Sequence, residues 1–265
     1  MHRPIALVTG ASSGIGAQFA RVLAGRGHDL VLVARDRARL ESLAKELGDT
    51  YGVAGEVVPA DLTDSAQLAA VEERARGVDL LVNNAGFGTY GRFVDLDVDG
   101  EDREVRCNVL AVVRLTHAAA SAMVERGRGG ILNVASIAGF QPTPFDATYG
   151  ATKAFVLSFT QALHEELKGT GVAVSVLCPG FTRTEFQARA GIDDSSIPSF
   201  LWQEADVVAR AGLDGLAKNR AVVIPGAINR VAGNLTLVTP DAVTRRVASI
   251  VMRRGRRIGQ PGSIR

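Results

Sequence analysis

Only two cysteines occur among the 265 residues, Cys107 and Cys178, and they form no CxxC pair. This argues against a disulfide framework or a cysteine zinc site and fits a reducing compartment. The four histidines, His2, His28, His117 and His164, show no metal-ligand spacing, so no metal is expected. Neither sign of charge dominates: 30 basic residues stand against 28 acidic ones, a net +2. That balance offers no global argument for binding nucleic acid or a membrane surface. No apolar run reads as long enough to span a bilayer, and a strand-like segment begins already at Ile5, leaving no room for a signal peptide. The expectation is a cytoplasmic chain without integral membrane association.

Glycine, by contrast, is plentiful at 29 residues, so sharp turns and close backbone approaches are expected. Strand and helix patterns alternate along the chain. Apolar runs at Ile5–Val8, Asp29–Ala34, Val53–Pro59, Val78–Val82, Gly130–Ala135, Val172–Leu177 and Ala221–Pro225 read as strands. Helical patterns cover Ile15–Ala24, Asp36–Leu47, Asp64–Ala75, Glu101–Val124 and Tyr149–Lys168, with a further helix-like stretch at Asp241–Met252. Apolar strands without polar alternation are buried on both faces, which suits a parallel sheet built from βαβ units. The predicted fold class is α/β, a Rossmann-type doubly wound parallel sheet with helices on both faces, forming one domain over residues 1–265. Two regions break the rhythm: an irregular stretch around 183–204, read as a substrate lid, and a basic tail over 253–265.

Between the first strand and the first helix lies Thr9-Gly10-Ala11-Ser12-Ser13-Gly14-Ile15-Gly16. A turn so rich in glycine lets a pyrophosphate approach the backbone, and the following helix offers unpaired N–H groups and the positive end of its dipole. The spacing is G-x-x-x-G-x-G, which is neither the commoner dinucleotide fingerprint nor a P-loop. Gly10-Ala-Ser12-Ser-Gly14 also fits G-x-S-x-G, the nucleophile elbow of hydrolases, which would make Ser12 a nucleophile. Against that, the elbow should not follow the first strand, and the base would have to be His117 or His164, both ordinary helix residues.

Further along come Asn83-Asn84-Ala85-Gly86, Ser136 and Tyr149-Gly150-Ala151-Thr152-Lys153, in that order. With the glycine turn, this series resembles the short-chain dehydrogenase/reductase family from about Ile5 to about Thr184. The residues also speak for themselves. Ser136 follows an apolar strand, and ligands of open parallel sheets bind outside such strand ends. Tyr149 and Lys153 are four apart on one helix face. Ordinary tyrosine, with a pKa near ~10, is a poor base at neutral pH, and a nearby ammonium is expected to lower that value by stabilising the phenolate. Tyr149 would then be general acid in reduction and general base in oxidation, with Ser136 hydrogen-bonding the carbonyl oxygen.

The resemblance implies more. Lys153 would also hold the nicotinamide ribose, and Asn108 would complete a proton relay through water. Gly10, Ser12, Ser13, Gly14, Ile15 and Gly16 would cradle the cofactor. Asp61 and Leu62 would contact adenine, and Asn84, Ala85 and Gly86 would border the adenosine side, with Asn83 supporting the sheet. Pro179, Gly180 and Thr182 would lie against the nicotinamide.

At the end of the second strand an acidic residue binds the ribose 2′-hydroxyl, whereas a basic one accommodates a 2′-phosphate. Here Ala34 stands at the acidic position and Arg35 follows, so NADP(H) is expected over NAD(H). Arg37 and Arg39 read as solvated helix charges. Phe87, Phe140, Gln141, Pro142, Phe145 and the stretch Phe186–Trp202 would wall a mostly apolar carbonyl or alcohol substrate. Family resemblance implies an oligomer, and the sequence after Lys218 favours a homodimer over a tetramer. The competing readings are an NADP(H)-binding sensor or scaffold with little turnover, and the Ser12 hydrolase.

Overall fold

The protein is described here by a computed structural model covering residues 3–186, 190, 198–227 and 229–230. Seven strands form one sheet: β1 (Ile5–Thr9), β2 (Asp29–Ala34), β3 (Gly55–Pro59), β4 (Leu80–Asn83), β5 (Gly129–Val134), β6 (Val172–Leu177) and β7 (Val222–Val223). Their spatial order is β3-β2-β1-β4-β5-β6-β7, and every pairing is parallel. The chain therefore reverses its winding between β1 and β4, where sheets of this kind open a crevice at their carboxyl edge.

The pleat sends neighbouring residues of each strand to two different cores. Ala6, Val8, Leu30, Leu32, Val82 and Leu132 face one core, and Leu7, Val31, Val33, Leu81 and Ile131 face the other. With apolar side chains required on both faces, the strands read as unbroken apolar runs. On the first face lie α1 (Gly14–Gly25), α2 (Arg37–Tyr51) and a helix over Ala205–Ala217; on the second lie α3 (Ser65–Arg76), α4 (Val98–Val105), α5 (Ala111–Arg126) and α6 (Ala147–Glu166). Asp36, Asp64 and Asp97 cap their helices by accepting bonds from backbone N–H groups, and Gly52 and Gly127 close α2 and α5 in the left-handed region.

Three expectations need correction. First, the Glu101–Val124 helix is longer, and it is not regular. It runs 29 residues from Val98 to Arg126, with a π turn at Arg106–Leu110 joining α4 to α5. By length and composition it could cross a membrane, but much of it is buried against α3 and the sheet, as in a core helix. Second, the helix over Ala205–Ala217, here α7, was not anticipated. Gly212 and Gly215 interrupt its pattern, yet the packing demands them. A Cβ at Gly212 would come within 2.9 Å of Leu177, and one at Gly215 would collide with Val223. Third, the last strand pairs over Val222–Val223 alone rather than from Ala221 to Pro225. Much of the irregular stretch (187–189 and 191–197), the helix-like stretch 241–252 and the basic tail 253–265 lie outside the described residues.

The turn from α6 to β6 offers a test of this packing. Gly169 and Gly171 both have φ +83, but a Cβ at Gly169 meets nothing within 4 Å, whereas one at Gly171 would run into the Gly127 carbonyl. Gly169→Ala should therefore cost only left-handed strain, about 1–2 kcal/mol. Gly171→Ala should cost clearly more. Thermal denaturation of the two variants checks the order, and equal losses would contradict it.

Candidate active site

Four strand ends build the site. After β1 the chain turns through Gly10 and Gly14, both in the left-handed region at φ +68 and +55. A Cβ at Gly16 would strike the Gly10 carbonyl and come within 2.6 Å of Asn84 Nδ2, so α1 can start this close to the sheet only with glycine there. Ser13 occupies the N-cap of α1, but its hydroxyl does not cap the helix. The first-turn N–H groups and the hydroxyls of Ser12 and Ser13 thus border a turn free of bulky side chains, a cradle suited to a pyrophosphate.

The β4 end is tied to this turn. Thr9 Oγ1 accepts from the backbone N–H groups of Asn84 and Ala85, each at 2.9 Å, and Asn84 Nδ2 donates to Thr9 O at 2.9 Å. Asn83 Nδ2 donates to Asn133 Oδ1 at 2.9 Å and to Thr116 Oγ1 at 3.0 Å, linking β4 to β5 and α5. Asn108 sits in the π turn, fully buried. Its amide grips the next loop, accepting from Phe87 N at 3.1 Å and donating to Phe87 O at 2.8 Å. It also donates to Thr152 Oγ1 on α6 at 3.1 Å.

Ser136 follows β5. Its Oγ accepts from Ala138 N at 3.1 Å, and its hydroxyl lies beside the Tyr149 side chain, whose pKa it lowers. Tyr149 and Lys153 stand one turn apart on α6, with the Lys153 ammonium 5.5 Å from the Tyr149 ring centroid. Lys153 Nζ donates to Val134 O at 3.0 Å. A Cβ at Gly86 would come within 3.0 Å of Asn108 Oδ1 and 3.3 Å of Lys153 Nζ, so Gly86, Asn108 and Lys153 meet at one point. Phe186 lies across the Tyr149 ring at 5.5 Å between centroids.

The expected lowering of the Tyr149 pKa by Lys153 is not found among the protein's own groups. Lys153 lies over the ring and spends a proton on a backbone carbonyl, and among the protein's own groups the balance runs the other way. Burial pushes Tyr149 above the ordinary tyrosine range, Asp146 and Glu104 add to the rise, and only the Ser136 hydrogen bond opposes it. Burial also pulls Lys153 down to about 8.

The remaining predicted residues fall around this centre. Arg35 is exposed at the end of β2, and no carboxylate pairs with it among the described residues. Arg39, read as a solvated charge, instead pairs with Glu185 at 2.9 Å. Asp61 spends its carboxylate on Thr63, and the Leu62 side chain is buried in the α3–α5 core. Pro179 O accepts from Ile137 N at 2.9 Å, a Cβ at Gly180 would collide with Asn229, and Thr182 Oγ1 donates to Gly180 O at 3.0 Å. Among the described residues Ser12 gains no histidine base: His164 Nδ1 contacts Val174 O at 2.7 Å, His117 points outward from α5, and His28 precedes β2 at the far edge of the sheet.

Sequence reasoning missed a carboxyl cluster beside Tyr149. Glu101, Glu104 and Asp146 are all buried, and Thr89 and Thr148 donate to the two glutamates. Their i, i+3 spacing on α4 was the only signal in the sequence, and it reads equally well as a solvated face.

Comparison with known proteins agrees with the geometry. The family model described as short chain dehydrogenase matches residues 4–194. A short-chain dehydrogenase from Sphingobium yanoikuyae, solved in complex with NADPH, is 41% identical with a TM-score of 0.81, covering 98% of each chain. The bulky-bulky ketone specific alcohol dehydrogenase from Comamonas testosteroni is 34% identical with a TM-score of 0.76, covering 100% of this chain and 98% of that one. The very-long-chain 3-oxoacyl-CoA reductase of Anas platyrhynchos is 35% identical over 217 residues, 78% of this chain and 67% of that protein. With the glycine turn, the strand-end serine and the Tyr149–Lys153 pair on one edge, this chain belongs to the short-chain dehydrogenase/reductase family and is an NAD(P)-dependent oxidoreductase acting on CH–OH groups.

Proposed function

We propose that the protein transfers a hydride between NADP(H) and the carbonyl or alcohol group of a mostly apolar small molecule. The observation that carries this reading is the gathering of Ser136, Tyr149 and Lys153 beside Gly86 and Asn108, next to the glycine turn. The cofactor's pyrophosphate would rest on Gly10 to Gly16, and Asn84, Ala85 and Gly86 would line its adenosine side. Asp61 and Leu62 would border the adenine through their backbone, Lys153 would hold the ribose, and Pro179, Gly180 and Thr182 would back the nicotinamide. When bound, the nicotinamide supplies or accepts the hydride at the carbonyl carbon.

The protein's part is the proton. Tyr149 Oη donates it to the carbonyl oxygen in reduction and removes it in oxidation. Ser136 donates a hydrogen bond to the same oxygen as charge develops there. Lys153 adds a positive charge close to the phenol. Asn108, held in the π turn, fixes the Gly86–Phe87 loop against Lys153 and stands where a water-mediated relay would begin.

Arg35, exposed and without a carboxylate partner among the described residues, supports NADP(H) over NAD(H), since a guanidinium grips a 2′-phosphate with two hydrogen bonds. The NADPH of the Sphingobium relative points the same way. Phe186 against Tyr149 supports an apolar substrate, as does the bulky ketone named for the Comamonas relative. We read residues 183–186 and 198–204, the described ends of the irregular stretch, as part of a substrate lid, and the whole chain as one domain, cytoplasmic, without a nucleic-acid partner. Val98, Val105 and Leu110 on the long helix and Phe155 on α6 are exposed, and a homodimer would cover them. The intact catalytic residues argue against a sensor or scaffold with little turnover.

Three outcomes test the reading. With aryl ketones and 3-oxoacyl thioesters followed at the reduced-nicotinamide band, Tyr149→Phe should lower kcat/KM by about 10²–10⁴-fold while NADPH still binds. Undiminished turnover would end the acid–base assignment. Ser136→Ala should lower kcat by about 10²-fold. Arg35→Ala should weaken NADPH by roughly 10–100-fold and leave NADH unchanged, as a charge-assisted contact of about 1.5–3 kcal/mol requires; equal losses for both cofactors in a titration would remove the 2′-phosphate role.

A further inference from the structure

We propose that Gln203 and Asn229 are positioning residues for the nicotinamide end of the cofactor: their paired side-chain amides fix the loop that follows β6 where the sheet no longer holds it. The proposal rests on the reading that Pro179, Gly180 and Thr182 back the nicotinamide.

The loop after β6 crosses the carboxyl edge of the sheet. At its start Pro179 O accepts from the N–H of Ile137, the residue after Ser136, at 2.9 Å. Further on, Thr184 reaches the glycine turn, where a Cβ at Gly14 would come within 3.2 Å of its methyl group. Strand pairing gives this span little support. Among the described residues β6 meets β7 only at Val176 and Leu177, and their ladder closes with a bond from Cys178 N to Val223 O at 2.8 Å.

Beyond Cys178 the support comes from elsewhere in the chain. Gln203, just before α7, lies beside Thr182 in an isolated parallel bridge: its N–H donates to Phe181 O at 2.9 Å, and its carbonyl accepts from Arg183 N at 2.9 Å. The Gln203 side chain turns to the segment after β7. Its Oε1 accepts from Asn229 Nδ2 at 3.0 Å, and the same Nδ2 donates to Pro225 O at 3.2 Å. Asn229 is buried, and its amide lies against Gly180: a Cβ there would sit within 2.7 Å of Nδ2, Cγ and Oδ1 alike. A Cβ at Gly226, in the left-handed region at φ +80, would come within 2.6 Å of Gln203 Nε2. Two side-chain amides therefore pack between two glycines, and the segments after β6, before α7 and after β7 close on one point.

A buried amide is costly unless it is bonded. The bonds that Asn229 makes go to Gln203 and Pro225, and it meets Gly180 by contact. Its effect on Gly180 is thus steric: the bonded amide is a stop against which this backbone rests. Hydride transfer needs the reacting carbons about 3–3.5 Å apart, and a displacement of about 1 Å costs roughly 10²-fold in rate. A loop that loses its stop passes such a displacement to the nicotinamide lying on it.

The test uses the full chain and two ligands, NADPH and 2′-phospho-ADP-ribose, which is the same cofactor cut before the nicotinamide. Calorimetric titration gives both dissociation constants without any substrate. Asn229→Asp keeps the side chain's shape but turns an oxygen toward Gln203 Oε1 and the Pro225 carbonyl. It should weaken NADPH by about tenfold and leave 2′-phospho-ADP-ribose at its natural value. Gln203→Met, which removes the accepting oxygen, should weaken NADPH in the same selective way. Gln203→Glu, which keeps that oxygen, should return NADPH binding toward the natural value. With an aryl ketone, Asn229→Asp should also lower kcat by about 10²-fold. Its isotope effect with NADPH deuterated at both hydrogens of the reacting carbon should rise, because hydride transfer then limits the rate. The binding comparison decides by itself. Equal losses for both ligands would reduce the pair to a structural support and overturn the proposal. So would binding unchanged in Asn229→Asp and Gln203→Met, or a loss in Gln203→Glu as large as that in Gln203→Met. Should Asn229→Asp fail to fold, Gln203→Met decides, because it leaves the Asn229–Gly180 contact in place. A natural protein that binds neither ligand would sink the cofactor reading itself, whereas NADPH binding that no variant shifts would sink the amide pair alone.

Discussion

Parallel strands have their carboxyl ends on one edge, and this constraint underlies the rest of the site. Because β1, β4, β5 and β6 are hydrogen-bonded in parallel, the glycine turn, Asn84–Gly86, Ser136 and Pro179–Gly180 all emerge together. Residues separated by well over a hundred positions become neighbours without any loop reaching across the molecule. The reversal of winding between β1 and β4 then opens space between the helices, and the glycine turn with the α1 N-terminus lines it.

That edge is kept in register by polar atoms in a chain of contacts. Thr9 ties β1 to the loop after β4, Asn83 ties β4 to Asn133 on β5, and Asn133 Nδ2 donates to Thr160 on α6 at 3.0 Å. Buried hydrogen bonds of this kind are costly to leave unmade, so they specify one arrangement of strands and helix. The π turn belongs to the same device. It lets a long core helix present Asn108 and Glu104 toward one loop, which regular helix geometry alone would not have announced.

Electrostatics in the site oppose one another. Lys153 is buried and pulled toward neutrality, while Tyr149 is buried and pushed toward keeping its proton. The sequence spacing of four correctly placed both on one helix face. It carried no information about solvent, about the Val134 carbonyl that takes a Lys153 proton, or about the carboxyls that approach from α4. Spacing named the two partners, and burial moves their pKa values in opposite directions among the protein's own groups.

The strands, most of the helices and the motif residues were legible because each depends on a local period or on a backbone demand that only glycine meets. Apolar runs of four to six residues between helical patterns read as strands buried on both sides, and Gly10, Gly14 and Gly16 announce a turn against backbone. The helix over Ala205–Ala217 was hidden because Gly212 and Gly215 serve distant partners, Leu177 and Val223, rather than a local turn. The carboxyl cluster was hidden for the same reason. Glu101 and Glu104 look like a solvated helix face until Thr89, Thr148 and Asp146 close over them. By itself the sequence determined the parallel sheet, the turn that suits a pyrophosphate, and the serine, tyrosine and lysine that meet at its carboxyl edge. Only the tertiary structure decided the charge states around them, because desolvation and long-range approach depend on which surfaces meet, and no local spacing encodes that.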